Sequence, residues 1–210
     1  PYTSILTEDR EAMRAGKGLL TGKPVGEINL AIIRDQWSDP IQPLTTASFA
    51  SMENDPGEPG EIVVSGDHVL DSYLHGKGNE ETKFTVDHQV WHRTGDAGYL
   101  DSQGRLWLLG RCAARIEDER GTLFPFAAET ALSFVPEVIR CAAVQINGAR
   151  VLALELTNSS DQTMATIKAT VAWAHFNDFR TVNSIPVDRR HNAKIDYPAL
   201  RSILTKTSSN

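Results

Sequence analysis

Cysteine is scarce: Cys112 and Cys141 are the whole complement. No disulfide framework holds this chain, and no CxxC pair offers a redox or zinc centre; two free thiols fit a reducing, cytoplasmic compartment. Positive charge is also in short supply. Lys and Arg total 21 against 27 Asp and Glu, a net charge of −6. Without a basic stripe to neutralise phosphates, a general nucleic-acid partner is excluded. No apolar run approaches the roughly 18 residues of a membrane span. The polar start PYTSILTEDREAM has no signal-peptide core. His75, His88, His92, His175 and His191 lack ligand spacing to Cys, Asp or Glu, so no metal site is expected. A GxSxG elbow and a Ser-His-Asp set are missing too. The stretch GKGLLTGKP (16–24) fails as a phosphate loop, because Lys17 stands where the first Gly is required and Pro24 where Ser or Thr is required.

What is present is a chain of 210 residues, 40% hydrophobic and 23% charged, suited to one or two globular domains. The first half is β-rich. GEINLAIIRD (26–35) alternates apolar and polar residues, EIVVSG (61–66) is a second strand, and a Pro- and Gly-rich loop lies between them. VWHR, GYLD and RLWLLG read as further short strands, with Thr94-Gly95-Asp96 as a tight turn and Ser102-Gln103-Gly104 turning the last hairpin. Many short strands with Gly and Pro turns predict a barrel or sandwich. After Arg111 the texture changes. PFAAETALSFV (125–135) has helical spacing, and RCAAVQI and RVLALELT flank Asn147-Gly148, a strong hairpin signal. Residues 161–176 form a predicted helix with Asp161 as N-cap, RTVNSIPV a strand, and DYPALRSIL (196–204) a final helix capped by Asp196. The expected fold class is α+β: a β-rich barrel-like subdomain over 1–110, then a small α+β unit over 111–210.

Three residues could carry chemistry. The Asp96 carboxylate can accept two adjacent hydroxyls, such as those of a ribose, and Gly95 and Gly98 let backbone approach a ligand; an ordinary turn aspartate reads the same way. Arg111 has a fork that matches phosphate or ribose oxygens, or a surface ion pair. Lys194, in PVDRRHNAKIDYPAL, could deliver a compact charge to developing phosphate or carboxylate charge, or be a solvated lysine. Trp91, Trp107 and Trp173 read as core.

Together, GEPGEIVVSGDHVLDSYLHGKGNEETKF, HRTGDAGYLDSQGRLWLLGR and IPVDRRHNAKIDYPALR resemble, in this order, the adenylate-forming superfamily of acyl-CoA synthetases, peptide-synthetase adenylation domains and luciferase. The resemblance runs from about residue 16 to 204. GRLWLLGRCAARIEDERGTLFPFAAETAL and PVDRRHNAKI look most like its β-lactone synthetase branch of olefin biosynthesis, which turns a 2-alkyl-3-hydroxy fatty acid and ATP into a β-lactone, AMP and pyrophosphate. The resemblance implies that Asp96 binds the ribose hydroxyls of ATP, that Arg111 approaches ribose and phosphate, and that Lys194 contacts the carboxylate and α-phosphate during adenylation. Tyr99 would pack, and residues 111–210 would be a mobile lid. The implied partners are ATP/AMP, a carboxylic acid (fatty or 3-hydroxy fatty), and CoA if the enzyme is instead an acyl-CoA synthetase; a non-catalytic nucleotide-binding or docking module is a third reading.

Two departures stand out. The superfamily's hinge position, commonly Asp or Lys, is Ala113 here. The Ser/Thr/Gly-rich phosphate loop and the Mg²⁺ and adenine residues belong to an N-terminal domain upstream of these residues. The 210 residues alone are therefore expected to give no ATP–pyrophosphate exchange; measurable exchange by this chain would refute that.

Overall fold

The computed structural model describes residues 6–67, 69–187 and 195–207. In chain order its elements are α1 (Thr7–Arg14), β1 (Leu19–Gly22), β2 (Asn29–Ile33), α2 (Thr46–Ala50), β3 (Gly60–Ser65), α3 (Asn79–Thr82), β4 (Lys83–Val86), β5 (Gln89–Leu100), β6 (Leu106–Arg111), β7 (Ile116–Asp118), β8 (Gly121–Leu123), α4 (Pro125–Leu132), β9 (Val138–Ile146), β10 (Ala149–Leu156), α5 (Asp161–Thr170), β11 (Asp178–Thr181) and α6 (Tyr197–Thr207). They divide into two compact units. Among the described residues the first comprises Leu20–Ala113, and the second comprises Ala114 onward together with residues 6–19. Within the second unit α1 packs on α4, with the Arg14 guanidinium 4.9 Å above the Phe134 ring and Met13 buried.

The first unit is a six-stranded sheet in the order β1-β6-β5-β3-β2, with β4 also paired to β5. It is curled into a half-barrel, in keeping with the α+β, barrel-like class read from sequence. β5 organises it. This strand runs 12 residues, and its side chains alternate between faces, so Trp91, Arg93, Gly95 and Ala97 are buried while His92, Thr94 and Asp96 are only partly so. Trp91 of that inner face joins Ile33, Phe49, Val63 and Phe84 in one cluster, where the Phe49 and Trp91 rings lie 4.7 Å apart.

The sequence reading of Thr94-Gly95-Asp96 as a turn between two strands is corrected here. Those residues sit inside β5 as a bulge. Val63 pairs with Arg93 and Glu61 with Ala97, so three residues of β5 oppose Ile62 alone. Gly95 permits this at φ +68°, and a Cβ there would lie 2.8 Å from the Trp37 ring. The next hairpin forms where expected. The Asp101 carboxylate accepts from the backbone N–H groups of Gln103 and Arg105 and from Trp107 Nε1. Burial works against that charge, but these donors and the Arg105 guanidinium hold the carboxyl at about 2. Tyr99 stacks parallel to Trp107 with centroids 6.1 Å apart, a packing role.

A buried ion pair fixes the bulge. Arg93 and Glu61 are 1% and 0% exposed and meet at 2.6 Å. Arg93 also donates to the carbonyls of Asp39 at 2.6 Å and Gln36 at 3.1 Å, and lies 5.3 Å from the Trp37 ring. Burial pushes the Glu61 carboxyl upward, and the Arg93 guanidinium pulls it back.

The second unit is a three-stranded sheet, β11-β10-β9, antiparallel between β9 and β10 and parallel between β10 and β11. Both faces are covered. Cys141, Ala143, Leu152 and Leu154 face a core with Ala128, Leu132 and Ile167 of α4 and α5, whereas Ala142, Val144, Val151 and Ala153 face Leu200 and Leu204 of α6. A doubly covered strand reads as a continuous apolar run, which explains RVLALEL. Asn147 (φ +50°) and Gly148 (φ +79°) form the expected two-residue turn. Three boundaries differ from the sequence reading. α5 is capped by Ser160, whose Oγ accepts from Thr163 N, and Asp161 is its first residue. It ends at Thr170, and a separate 3₁₀ turn, Ala172–Ala174, follows. The strand expected over 180–187 is Asp178–Thr181, limited by its parallel register on β10. At α6, Asp196 Oδ1 accepts from Ala199 N at 3.0 Å, as a cap should.

Glu61→Ala should destabilise the first unit by roughly 3–5 kcal/mol, since it strands the Arg93 charge in the core. Urea unfolding followed by tryptophan fluorescence measures it, with Trp37 and Trp91 reporting on that unit.

Candidate functional site: an acidic bulge beside an arginine

The bulge turns Asp96 away from the core. Its side chain remains 33% exposed, and the facing strand places Arg111 directly opposite, as its register partner. Arg111 Nε lies 3.1 Å from Asp96 Oδ1, and Arg111 Nη1 donates to the Thr94 carbonyl at 3.1 Å. Thr94 braces the other side. Its hydroxyl donates to the Ile62 carbonyl at 2.8 Å and accepts from the Asp96 N–H at 3.0 Å. The result is a half-buried carboxylate set against one guanidinium on an interior strand of the sheet. An ionised carboxylate has acceptor capacity for several donors at once, and the Arg111 side chain, 48% exposed, keeps contact with solvent. The donor set fits a neutral polyol flanked by negative charge.

Sequence reasoning brought Asp96 and Arg111 together, and the structure pairs them. Lys194, the third site residue, lies outside the described residues. Thr94, Trp37 and the Arg93–Glu61 pair were given no role from sequence. The Thr preceding Gly-Asp was a readable signal for the brace, whereas Trp37 sits some sixty residues away with no local mark. Among the described residues no three His, Cys, Asp or Glu side chains converge on a common point.

Comparison with known proteins agrees with this architecture. Olefin β-lactone synthetase of Stenotrophomonas maltophilia is 34% identical over 209 residues, and that of Xanthomonas campestris 32% identical over 215, each match covering 90% of this chain. The 2-succinylbenzoate–CoA ligase of Bacillus velezensis is 37% identical over 83 residues, 40% of the chain. Among solved structures, O-succinylbenzoate coenzyme A synthetase of Bacillus subtilis, in complex with ATP and magnesium, superposes with a TM-score of 0.66 at 25% identity, over 89% of this chain and 35% of its own. The chain belongs with the adenylate-forming enzymes. It spans 37% of the length of the β-lactone synthetases it matches. No family model matches it. Among the described residues no helix is long and apolar enough to cross a membrane.

Asp96→Asn should shift the stability of the first unit by less than about 1 kcal/mol, because the pair it breaks is open to solvent. A chemical denaturation curve superimposable on wild type within that margin is the expected result.

Proposed function

We propose that this chain is the nucleotide-gripping and lid-bearing part of an ATP-dependent acid-activating enzyme. The observation that carries the proposal is the bulged β5, which presents Asp96 beside Arg111 where the Thr94-Gly95-Asp96 run turns away from the core. Asp96 accepts from the two ribose hydroxyls of ATP. Arg111 holds the Asp96 carboxylate in orientation and faces the sugar and phosphate oxygens with its exposed edge. Lys194 supplies positive charge to the α-phosphate and the attacking carboxylate. In the reaction a substrate carboxylate oxygen attacks the α-phosphorus, the bond to pyrophosphate breaks, and an acyl-adenylate and pyrophosphate form. Negative charge gathers on the α-phosphoryl oxygens, and a positioned cation stabilises it where water is excluded. When bound, Mg²⁺ would neutralise phosphate charge, through ligands other than the described residues of this chain.

The substrate reading is a 2-alkyl-3-hydroxy fatty acid. The likeness to β-lactone synthetases extends over 90% of the chain, whereas that to the 2-succinylbenzoate–CoA ligase covers 40%. In such a substrate the 3-hydroxyl oxygen closes on the acyl carbon, the bond to AMP breaks, the hydroxyl proton is released, and a β-lactone results. We further assign residues 1–110 to the large domain and 111–210 to the lid.

In the complete enzyme, Lys194→Ala should lower acyl-adenylate formation by about 10²–10³-fold with the fold unchanged. ATP–pyrophosphate exchange together with circular dichroism tests this. Full exchange activity in the variant would remove Lys194 from the reaction.

A further inference from the structure

The loop between β2 and α2 carries an aromatic ring to which nucleotide gripping assigns no part. That ring is Trp37, and the loop around it is tied down. The Trp37 N–H donates to Asp35 Oδ1 at 2.9 Å, and the Asp39 N–H closes a turn on the Gln36 carbonyl at 3.1 Å. The Gln36 and Asp39 carbonyls both accept from the buried Arg93. Ser38, the neighbour of Trp37, is held at φ +90°. A residue with a side chain keeps such a backbone only where its surroundings over-determine it. The loop thus fixes where the indole goes.

The indole goes beneath the bulge of β5. Its far edge lies against Gly95: a Cβ there would stand 2.8 Å from Cη2, 3.0 Å from Cζ2 and 3.1 Å from Cζ3. Gly95 is the pivot of the bulge, at φ +68°. Glycine has little preference for that conformation over others, so its neighbours must select it. On the outer side Thr94 Oγ1 accepts from the Asp96 N–H at 3.0 Å. On the inner side the Gly95 N–H faces the Glu61 carboxylate, and Trp37 fills the space a side chain would take. Asp96 is the next residue in the chain, so any drift of Gly95 re-aims its carboxylate.

We propose that Trp37 is a positioning residue for nucleotide recognition: its ring braces Gly95 so that the Asp96 carboxylate stands ready for the two ribose hydroxyls. This role rests on the reading of Asp96 given above. A carboxylate already aimed loses little freedom when the sugar arrives, whereas a loose one must be ordered at a cost in affinity. Paired bonds to adjacent hydroxyls depend steeply on angle, so they suffer first when the aim is lost. Trp37 acts through Asp96 and the sugar, which keep their contacts throughout the reaction. Its loss therefore raises KM for ATP and leaves the maximal rate in place.

ATP–pyrophosphate exchange by the complete enzyme tests this, with ATP set against 2′,3′-dideoxy-ATP, which lacks both hydroxyls. Trp37→Ala should raise KM for ATP roughly tenfold with the maximal rate kept. Its KM for the dideoxy nucleotide should stay within about twofold of wild type. Trp37→Phe keeps a flat ring beneath Gly95 and should recover most of the ATP affinity. A general loss of packing would penalise both nucleotides alike. Equal penalties on the two in Trp37→Ala, or none on either, overturn the proposal. Should Trp37→Ala not fold, Trp37→Leu, which fills space without a ring edge, takes its place with the same expectations. Asp96→Ala separates this inference from the reading beneath it, since it should itself penalise ATP and spare the dideoxy nucleotide. If Asp96→Ala discriminates and Trp37→Ala does not, the positioning role alone falls. If Asp96→Ala treats the two nucleotides alike, the ribose reading falls and the positioning role with it.

Discussion

The first unit depends on the Arg93–Glu61 pair. An ion pair with both members withdrawn from water is costly unless every remaining donor finds an acceptor. Each nitrogen of Arg93 finds an acceptor: Nε and Nη2 donate to Glu61, Nη2 also to the Gln36 carbonyl, and Nη1 to the Asp39 carbonyl. In this way Arg93 fastens the 36–39 loop to the strand that carries the site. Trp37 is thereby held under Gly95, and Gly95 in turn allows the bulge that turns Asp96 outward. The half-buried carboxylate of the bulge is thus set by a buried guanidinium three residues earlier on the same strand.

Much of this was legible in the chain. RCAAVQI and RVLALELT with Asn147-Gly148 between them announced the β9–β10 hairpin, because an Asn-Gly pair fits the left-handed turn that strand twist demands. Ser102-Gln103-Gly104 marked the other hairpin, and Asp196 the start of α6. What was not legible came from contacts distant in sequence. Thr94-Gly95-Asp96 has turn composition, and only pairing on both sides, with β3 and with β6, keeps it within a strand. Ser160 and Asp161 are both good caps, and geometry chose the first. For the site, a carboxylate between glycines, the Thr before it and a Gly-Arg pair could be read locally, but Trp37 beneath the bulge could not.

The two units use opposite designs for similar ends. The first hangs a polar site on one long strand and buries charge to hold it there. The second buries almost no charge in its sheet and covers both faces with helices; its polar anchor is instead Arg150, which donates to Asp118 at 2.7 and 2.6 Å and to the carbonyls of Ala174 and Gly121 at the sheet's margin. Arg150 is 3% exposed and holds the Asp118 carboxyl below the usual carboxylate range. An apolar sheet tolerates small repacking at single positions, whereas losing one member of a buried ion pair leaves the other charge uncompensated.

The placement of α1 bears on how the polypeptide is threaded. Residues 6–19 group with the second unit although they come first in sequence, so the backbone passes into the first unit near Leu19 and out again near Ala113. Two peptide crossings join the units where a simple end-to-end arrangement would have one. A single proteolytic nick at either crossing would leave the halves covalently tethered through the other.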